Sequence, residues 1–377
     1  MRAQLRDPRI AGAEAPPAPL ADREQAREAA WHALPALAEL HRLSAVVARA
    51  LAVHPPLPRP PASVASRLQE DSRATAVRAL AALGPLAEVM DALAAHDIPA
   101  LLWKGPALAQ EAWDDVGTRA SVDLDIVVRP RDRARARAVV GALGWTETHG
   151  MSAAQERAIF RGRGAWELQH PAYEVKLELH WEFSALRYPG RLPVDEALAR
   201  AQGRLVGGVR VRIPGPADTL VLLAQHGSKH GWSSLEDVAL FAAMLARHPD
   251  HLEEAHARAK QLGLARPMAL AGALTTRALA LEVPEPLAHD ARDPALHPLM
   301  AEVEARWARG DVAWRPSLAW DLACATRARD RARMLWRSLV DPTVQEWLAV
   351  RLPDPLVWLY PVMRPGRLLL RALTVRR

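Results

Sequence analysis

Apolar and polar positions change rhythm several times along this chain, and the changes mark its elements. Ile98 to Trp103 is a short unbroken apolar run, which predicts a buried strand. Lys104 and Gly105 interrupt it, and Pro106 suits the first position of a helix over Pro106 to Trp113. Strict alternation then begins in Val122 to Val128, VDLDIVV. On a strand there, Val122, Leu124 and Ile126 face a core, while Asp123 and Asp125 share the opposite face. A helix over Asp132 to Leu143 and a short strand near Trp145 follow. Trp166 to His170 and Glu174 to Phe183 read as a hairpin that turns at Pro171, Ala172 and Tyr173. Its second arm alternates Val175, Leu177, Leu179 and Trp181 with Lys176, Glu178, His180 and Glu182.

Outside this stretch the pattern is helical. Ala21 to Val53 and Ala62 to His96 carry helical patterning, the latter broken near Gly84-Pro85, with the proline-rich connector HPPLPRPP at 54–61 between them. Val206 to Ile213 suggests a small hairpin, and three helices are expected from Asp218 to about Leu281. The expected fold class is therefore α+β: a small mixed sheet with flanking helices, embedded between N-terminal and C-terminal helical regions. The expected divisions are a disordered tail (1–22), an N-terminal helical region (23–96), an αβ core (97–185), a C-terminal helical domain (186–283) and a Pro/Trp-rich helical tail (284–377) packing on the domains.

Composition narrows the function. The 377 residues suffice for two or three domains. The net charge of +6 would suit a nucleic-acid partner, but only four lysines occur, and the arginines alternate with acids along helical faces. With little aromatic interleaving, no specific nucleic-acid partner is expected. Cys324 is the only cysteine, which excludes an intramolecular disulfide and a cysteine-based zinc site. No apolar signal core opens the chain and no run of about 18 apolar residues occurs, so a cytoplasmic protein without a spanning helix is expected. The apolar, basic C-terminus permits weak contact with a membrane surface, but packing on the helical domain is the favoured reading.

The candidate chemistry centres on Asp123 and Asp125. Two carboxylates side by side on a buried-type strand repel and lose hydration, and a divalent cation relieves both costs. Hard oxygen ligands suit Mg²⁺, or Mn²⁺ in its place. Glu178 offers a third carboxylate, with His180 beside it; an amphipathic strand with a solvated face accounts for them equally well. Lys104 and Gly105, at the start of the following helix, form a phosphate cradle. Arg119, four residues before Asp123, is a candidate clamp on phosphate or acceptor. In Asp218 to Arg247, His226 and His230 are four residues apart and share a helix face if Gly227 does not break it. No glutamate follows His226 to make a zinc motif, so Lys229 and the histidines read as core-packing polar residues or as a face lining a substrate cleft.

Together, LLWKGPAL (101–108), GTR (117–119), DLDIV (123–127) and ELHW (178–181) resemble an uncharacterised bacterial nucleotidyltransferase family of the polymerase-β-like superfamily. The likeness extends from about Glu24 onward. It implies a nucleotidyltransferase-type sheet and transfer of a nucleoside monophosphate from an NTP to a small-molecule or peptide acceptor. It also implies Asp123, Asp125 and Glu178 as catalytic metal ligands, Lys104, Gly105 and Arg119 on the nucleotide, and His180, His226, Lys229, His230 and Asp237 on the acceptor side. One departure stands out. The second turn residue is Pro106 rather than Ser, so a hydroxyl is missing from the triphosphate site, and Lys104 is expected to substitute. That departure motivates the alternative of a non-catalytic nucleotide-sensing or interaction protein. Kinase-like transfer of a γ-phosphate is the other alternative.

Overall fold

The computed structural model describes residues 20–374 except 57 and 315. The expected disordered tail lies outside the described residues over 1–19, while residues 20–22 already belong to the first helix. Helices α1 (Leu20–Leu40), α2 (Ser44–Val53), α3 (Ala62–Ala81) and α4 (Leu83–Ala95) precede the sheet. The expected break in the second helical stretch falls at Ala82, which leaves Gly84 and Pro85 in the first turn of α4, where a proline costs least.

Five strands form a mixed sheet. In chain order, β1 (Ala100–Leu102) leads through α5 (Pro106–Trp113) to β2 (Asp123–Val128). Next come α6 (Arg133–Ala142), β3 (Thr146–Glu147), α7 (Ala153–Phe160), β4 (Ala165–His170) and β5 (Tyr173–His180). The spatial order is β1-β2-β5-β4-β3. β2 and β5 run parallel at the centre, and the remaining pairs are antiparallel. The hairpin turn is Pro171-Ala172, so Tyr173 belongs to β5.

The sheet has two differently used faces. Leu124, Ile126, Leu177 and Leu179 are sealed against α4 and α6, in a core with Leu86, Val89, Leu93, Ala136 and Val140. Val122 does not join them. It precedes the strand and is 72% exposed, so the expected inward alternation begins only at Leu124. On the other face Leu101, Trp103 and Val127 join the core of the following helices.

Those helices are α8 (Val194–Ala199) and, after the β6 (Gln202–Val206) and β7 (Val209–Ile213) hairpin, α9 (Pro216–Lys229), α10 (Leu235–Arg247), α11 (Leu252–Leu262) and α12 (Ala265–Leu279). Four helices thus fill Pro216 to Leu279, where the sequence pattern suggested three. The extra boundary is Gly263, which caps α11 with φ +82° and starts a new direction for α12. Asp218, 1% exposed, is pinned by Arg200 at 3.0 Å and Arg258 at 2.7 Å, which ties α8 and α11 to the start of α9. Helices from Leu287 to Thr374 complete the chain.

Candidate active site

Register brings the acids together. Asp125 of β2 pairs with Glu178 of β5, and Val127 pairs with His180. Side chains alternate, so Asp125, Glu178 and His180 emerge on one face at neighbouring positions. Their potential ligand atoms all lie within 4.8 Å of one another. His180 Nε2 is 3.0 Å from Asp125 Oδ1 and 3.0 Å from Glu178 Oε2. The sequence marked His180 for the acceptor; in the structure it stands between the two carboxylates. Asp123, one step back along β2, pairs with Lys176 and lies outside that three-residue cluster.

Repulsion between the acids is relieved from within the protein. Trp103 N–H donates to Asp125 O at 2.9 Å, which extends the β1–β2 pairing and aims the next side chain at the cluster. Lys104 Nζ lies 2.9 Å from Asp125 Oδ1. Burial alone would lower the Lys104 pKa, but Asp125, Asp123 and Glu178 outweigh it and raise it. His180 shifts the same way: burial opposes its charge, and hydrogen bonds to Asp125 and Glu178 prevail. Burial likewise opposes the charges of Asp125 and Glu178. Lys104 and His180 overcome it at Asp125, and His180 above all at Glu178, so both carboxyls fall well below their ordinary range. Asp123 has no such partner, and burial followed by the Asp125 charge pushes its pKa up. The sequence pointed to a divalent cation as the simplest relief for these acids; Lys104 and His180 supply a further one.

Satisfaction is nevertheless incomplete. Asp125 Oδ2 and His180 Nδ1 are buried without a hydrogen-bond partner among the described residues. Buried polar atoms are nearly always paired, so two orphans in one cluster leave bonding capacity that a ligand could fill. The two carboxylates, joined by the imidazole once it gives up its proton, are donors that fit a divalent ion such as Mg²⁺ or Mn²⁺.

The neighbouring polar groups come from α9 and α10. Gly227 does not break α9; a Cβ there would lie 2.6 Å from the Trp232 ring, so the glycine makes room for that indole. The helix runs on, and the His226 and His230 ring centroids are 4.4 Å apart. Lys229 projects from the same stretch. Burial and then the Lys104 charge push its pKa down to about 8, against the pull of Glu178 and Asp125. His226 is lowered by burial and by Lys104, and His230 by its crowded surroundings and by Lys229, although part of its ring reaches solvent. These side chains therefore share an electrostatic environment with the acid cluster. Among the described residues no acid or histidine completes a three-ligand set with His226 and His230.

Arg119 and Glu236 tie the turn before β2 to α10. Arg119 Nε lies 3.1 Å from Glu236 Oε1, and that glutamate is 3% exposed. Asp237, beside it, is raised to about 6 by burial and by Glu236. The turn carrying Arg119 rests on α3, where a Cβ on Gly117 would come within 3.2 Å of the Ala76 methyl. The Ser234 hydroxyl caps α10 and donates to His41 O at 2.9 Å, so the N-terminal helices brace both partners of the ion pair. Glu236 escaped the sequence reading. An acid in the first turn of a helix has an ordinary role at the positive end of the helix dipole, and nothing local signals its burial.

The site thus combines a mixed sheet carrying paired acids on adjacent parallel strands with a lysine-glycine turn that opens a helix and a neighbouring group of polar side chains on α9 and α10. A sequence model of the family described as uncharacterised nucleotidyltransferase matches residues 27–280, well over half of the chain, and the chain belongs to that family. A solved structure with similarity is the solution structure of antibiotic-resistance factor ANT(2'')-Ia. It shares 11% sequence identity over 46% of this chain and 88% of that chain, with a TM-score of 0.33. None of the curated proteins matches.

Proposed function

We propose that this nucleotidyltransferase moves a nucleoside monophosphate from an NTP to a small-molecule or peptide acceptor in a reaction that depends on Mg²⁺ or Mn²⁺. The observation that carries the reading is the unpartnered Asp125 Oδ2 inside the Asp125–Glu178–His180 cluster. These three residues would hold the ion, with Asp123 beside them. When bound, it would supply charge neutralisation for the phosphates and for the developing charge.

The remaining roles belong to side chains. An acceptor oxygen or nitrogen bonds to the α-phosphorus as the bridge to the β-phosphate breaks, and pyrophosphate leaves with the bond pair. Lys104 and the Gly105 turn would hold the departing phosphates. Arg119, fixed by Glu236, would face the charge that builds up in the transition state. Lys229, whose pKa is brought down to about 8 by burial and by Lys104, gives up its proton more readily than an ordinary lysine and is suited to take the acceptor's proton. His226, His230 and Asp237 would line the acceptor side. A cytoplasmic location belongs to the same proposal, supported by the lone, buried Cys324; no described helix is long and apolar enough to cross a membrane.

The test is incubation with each α-labelled NTP, Mg²⁺ and cell extract. Label should pass to an acceptor with release of pyrophosphate. Appearance of a nucleoside diphosphate instead would assign kinase-like transfer, and binding without any product would assign a nucleotide sensor.

A further inference from the structure

The turn that opens α5 is chemically bare. Gly105 is its N-cap, with φ +62° and no side-chain cap, and Pro106 follows without an N–H. Lys104, the nearest cation, is committed to Asp125 at 2.9 Å. A phosphate group arriving here would find a helix N-terminus but no hydroxyl from the turn itself.

A hydroxyl is present from elsewhere. Ser121 lies in the loop that follows the 3₁₀ turn at Val116–Thr118 and precedes β2. Its side chain bends back over the turn: a Cβ on Gly105 would lie 2.8 Å from Ser121 Oγ and 3.6 Å from Asp123 O. Ser121 is 8% exposed, and its Oγ has no hydrogen-bond partner among the described residues. A buried hydroxyl without a partner is costly, and a serine has little reason to occupy that place for packing alone. The missing side chain of Gly105 leaves the space into which the hydroxyl points.

We propose that Ser121 is the hydroxyl donor of an oxyanion subsite at the start of α5, and that its ligand is a polyphosphate. The proposal rests on the NTP reading above for its physiological ligand, which would be the triphosphate, but the subsite itself is defined by phosphoryl oxygens. Ser121 donates one hydrogen bond to a phosphate oxygen, and the positive end of the α5 dipole adds to the attraction, since the Ala107 and Ala109 amides already donate to the Lys104 and Gly105 carbonyls. No bond to phosphorus is made or broken by Ser121.

The experiment is calorimetric titration of the full chain with inorganic tripolyphosphate, and with ATP, CTP, GTP and UTP in turn, each with Mg²⁺. The parent is compared with Ser121→Ala and Ser121→Thr. A hydrogen bond to a charged group is lost in the alanine variant, so tripolyphosphate affinity should fall about tenfold or more. Affinity for nucleoside monophosphates, which do not reach this subsite, should stay the same, and Ser121→Thr should recover most of the loss. The thermal midpoint without ligand should not fall in Ser121→Ala, because no hydrogen bond is removed. Unchanged tripolyphosphate affinity in Ser121→Ala overturns the proposal. So does a drop in the ligand-free midpoint, which would make the hydroxyl structural. If the parent binds tripolyphosphate and loses it in Ser121→Ala but binds no NTP, the subsite stands and the NTP reading falls. If the parent binds neither, both fall.

Discussion

Lys104 Nζ lies 2.9 Å from Asp125 Oδ1, and that contact gives the two aspartates of β2 opposite standing. Asp125 is ion-paired and kept charged, whereas Asp123 sits beside that charge with a raised pKa. Their asparagine variants should therefore move stability in opposite directions. Asp125→Asn leaves Lys104 and His180 buried without their shared anion and should cost on the order of 3 kcal/mol. Asp123→Asn removes a repulsion and should be neutral or stabilising by about 1 kcal/mol. Urea denaturation of the metal-free proteins decides it. Equal effects would mean that Asp125 is not neutralised from within the protein.

Glu178 contacts His180 at 3.0 Å and is more open than Asp125. Glu178→Gln should depress turnover by a factor of about 100 or more while NTP binding survives, the pattern of an interaction made mainly in the transition state. Steady-state kinetics alongside nucleotide titration makes the comparison. Lost affinity with preserved turnover would move Glu178 into the nucleotide site.

Arg119 depends on Glu236, which is almost fully buried. Glu236→Gln keeps the shape and removes the charge. It should lower the turnover number about tenfold or more through misplacement of Arg119, with a smaller change in KM, and cost on the order of 2 kcal/mol of stability. If kinetics are unchanged while stability falls, the pair is structural only.

A pH effect follows from Asp321. Its carboxyl is 6% exposed and is raised from 3.8 to about 6 by burial, against the pull of Arg187 and Lys229. The folded protein therefore holds this proton more tightly than the unfolded chain. The stabilisation is full below pH 3.8 and is lost as the pH rises through about 6. Asp321→Asn removes that slope and should leave the protein more stable at pH 7, by on the order of 2 kcal/mol. Chemical denaturation of both proteins between pH 4 and 7 measures it. An unchanged slope would show that Asp321 titrates as an ordinary surface acid.

Much of the site was legible because strand alternation is a local rule. The side-chain period of two put Asp123 with Asp125 and Glu178 with His180 before any pairing was known. Which of them would meet was not legible. That depends on β2 and β5 running side by side in register, a relation between positions more than 50 residues apart with no local trace. The same limit hid Glu236 as the partner of Arg119 and Ser121 as a neighbour of Gly105. Lys104 was read as a phosphate ligand from its place in the turn. Its contact with Asp125 appears only once β1 lies against β2. The three-helix expectation for the later region failed at Gly263, since an uninterrupted apolar periodicity conceals a change of direction.

Transfer of nucleotide with Asp125 as the central acid is tested most directly by following α-labelled and γ-labelled NTP in parallel, in the parent and in Asp125→Asn, with Mg²⁺ and cell extract. The parent should pass the α-label to an acceptor and release the γ-label as pyrophosphate, and Asp125→Asn should do neither. Transfer of the γ-label to an acceptor, or an Asp125→Asn variant with the activity of the parent, would contradict the account.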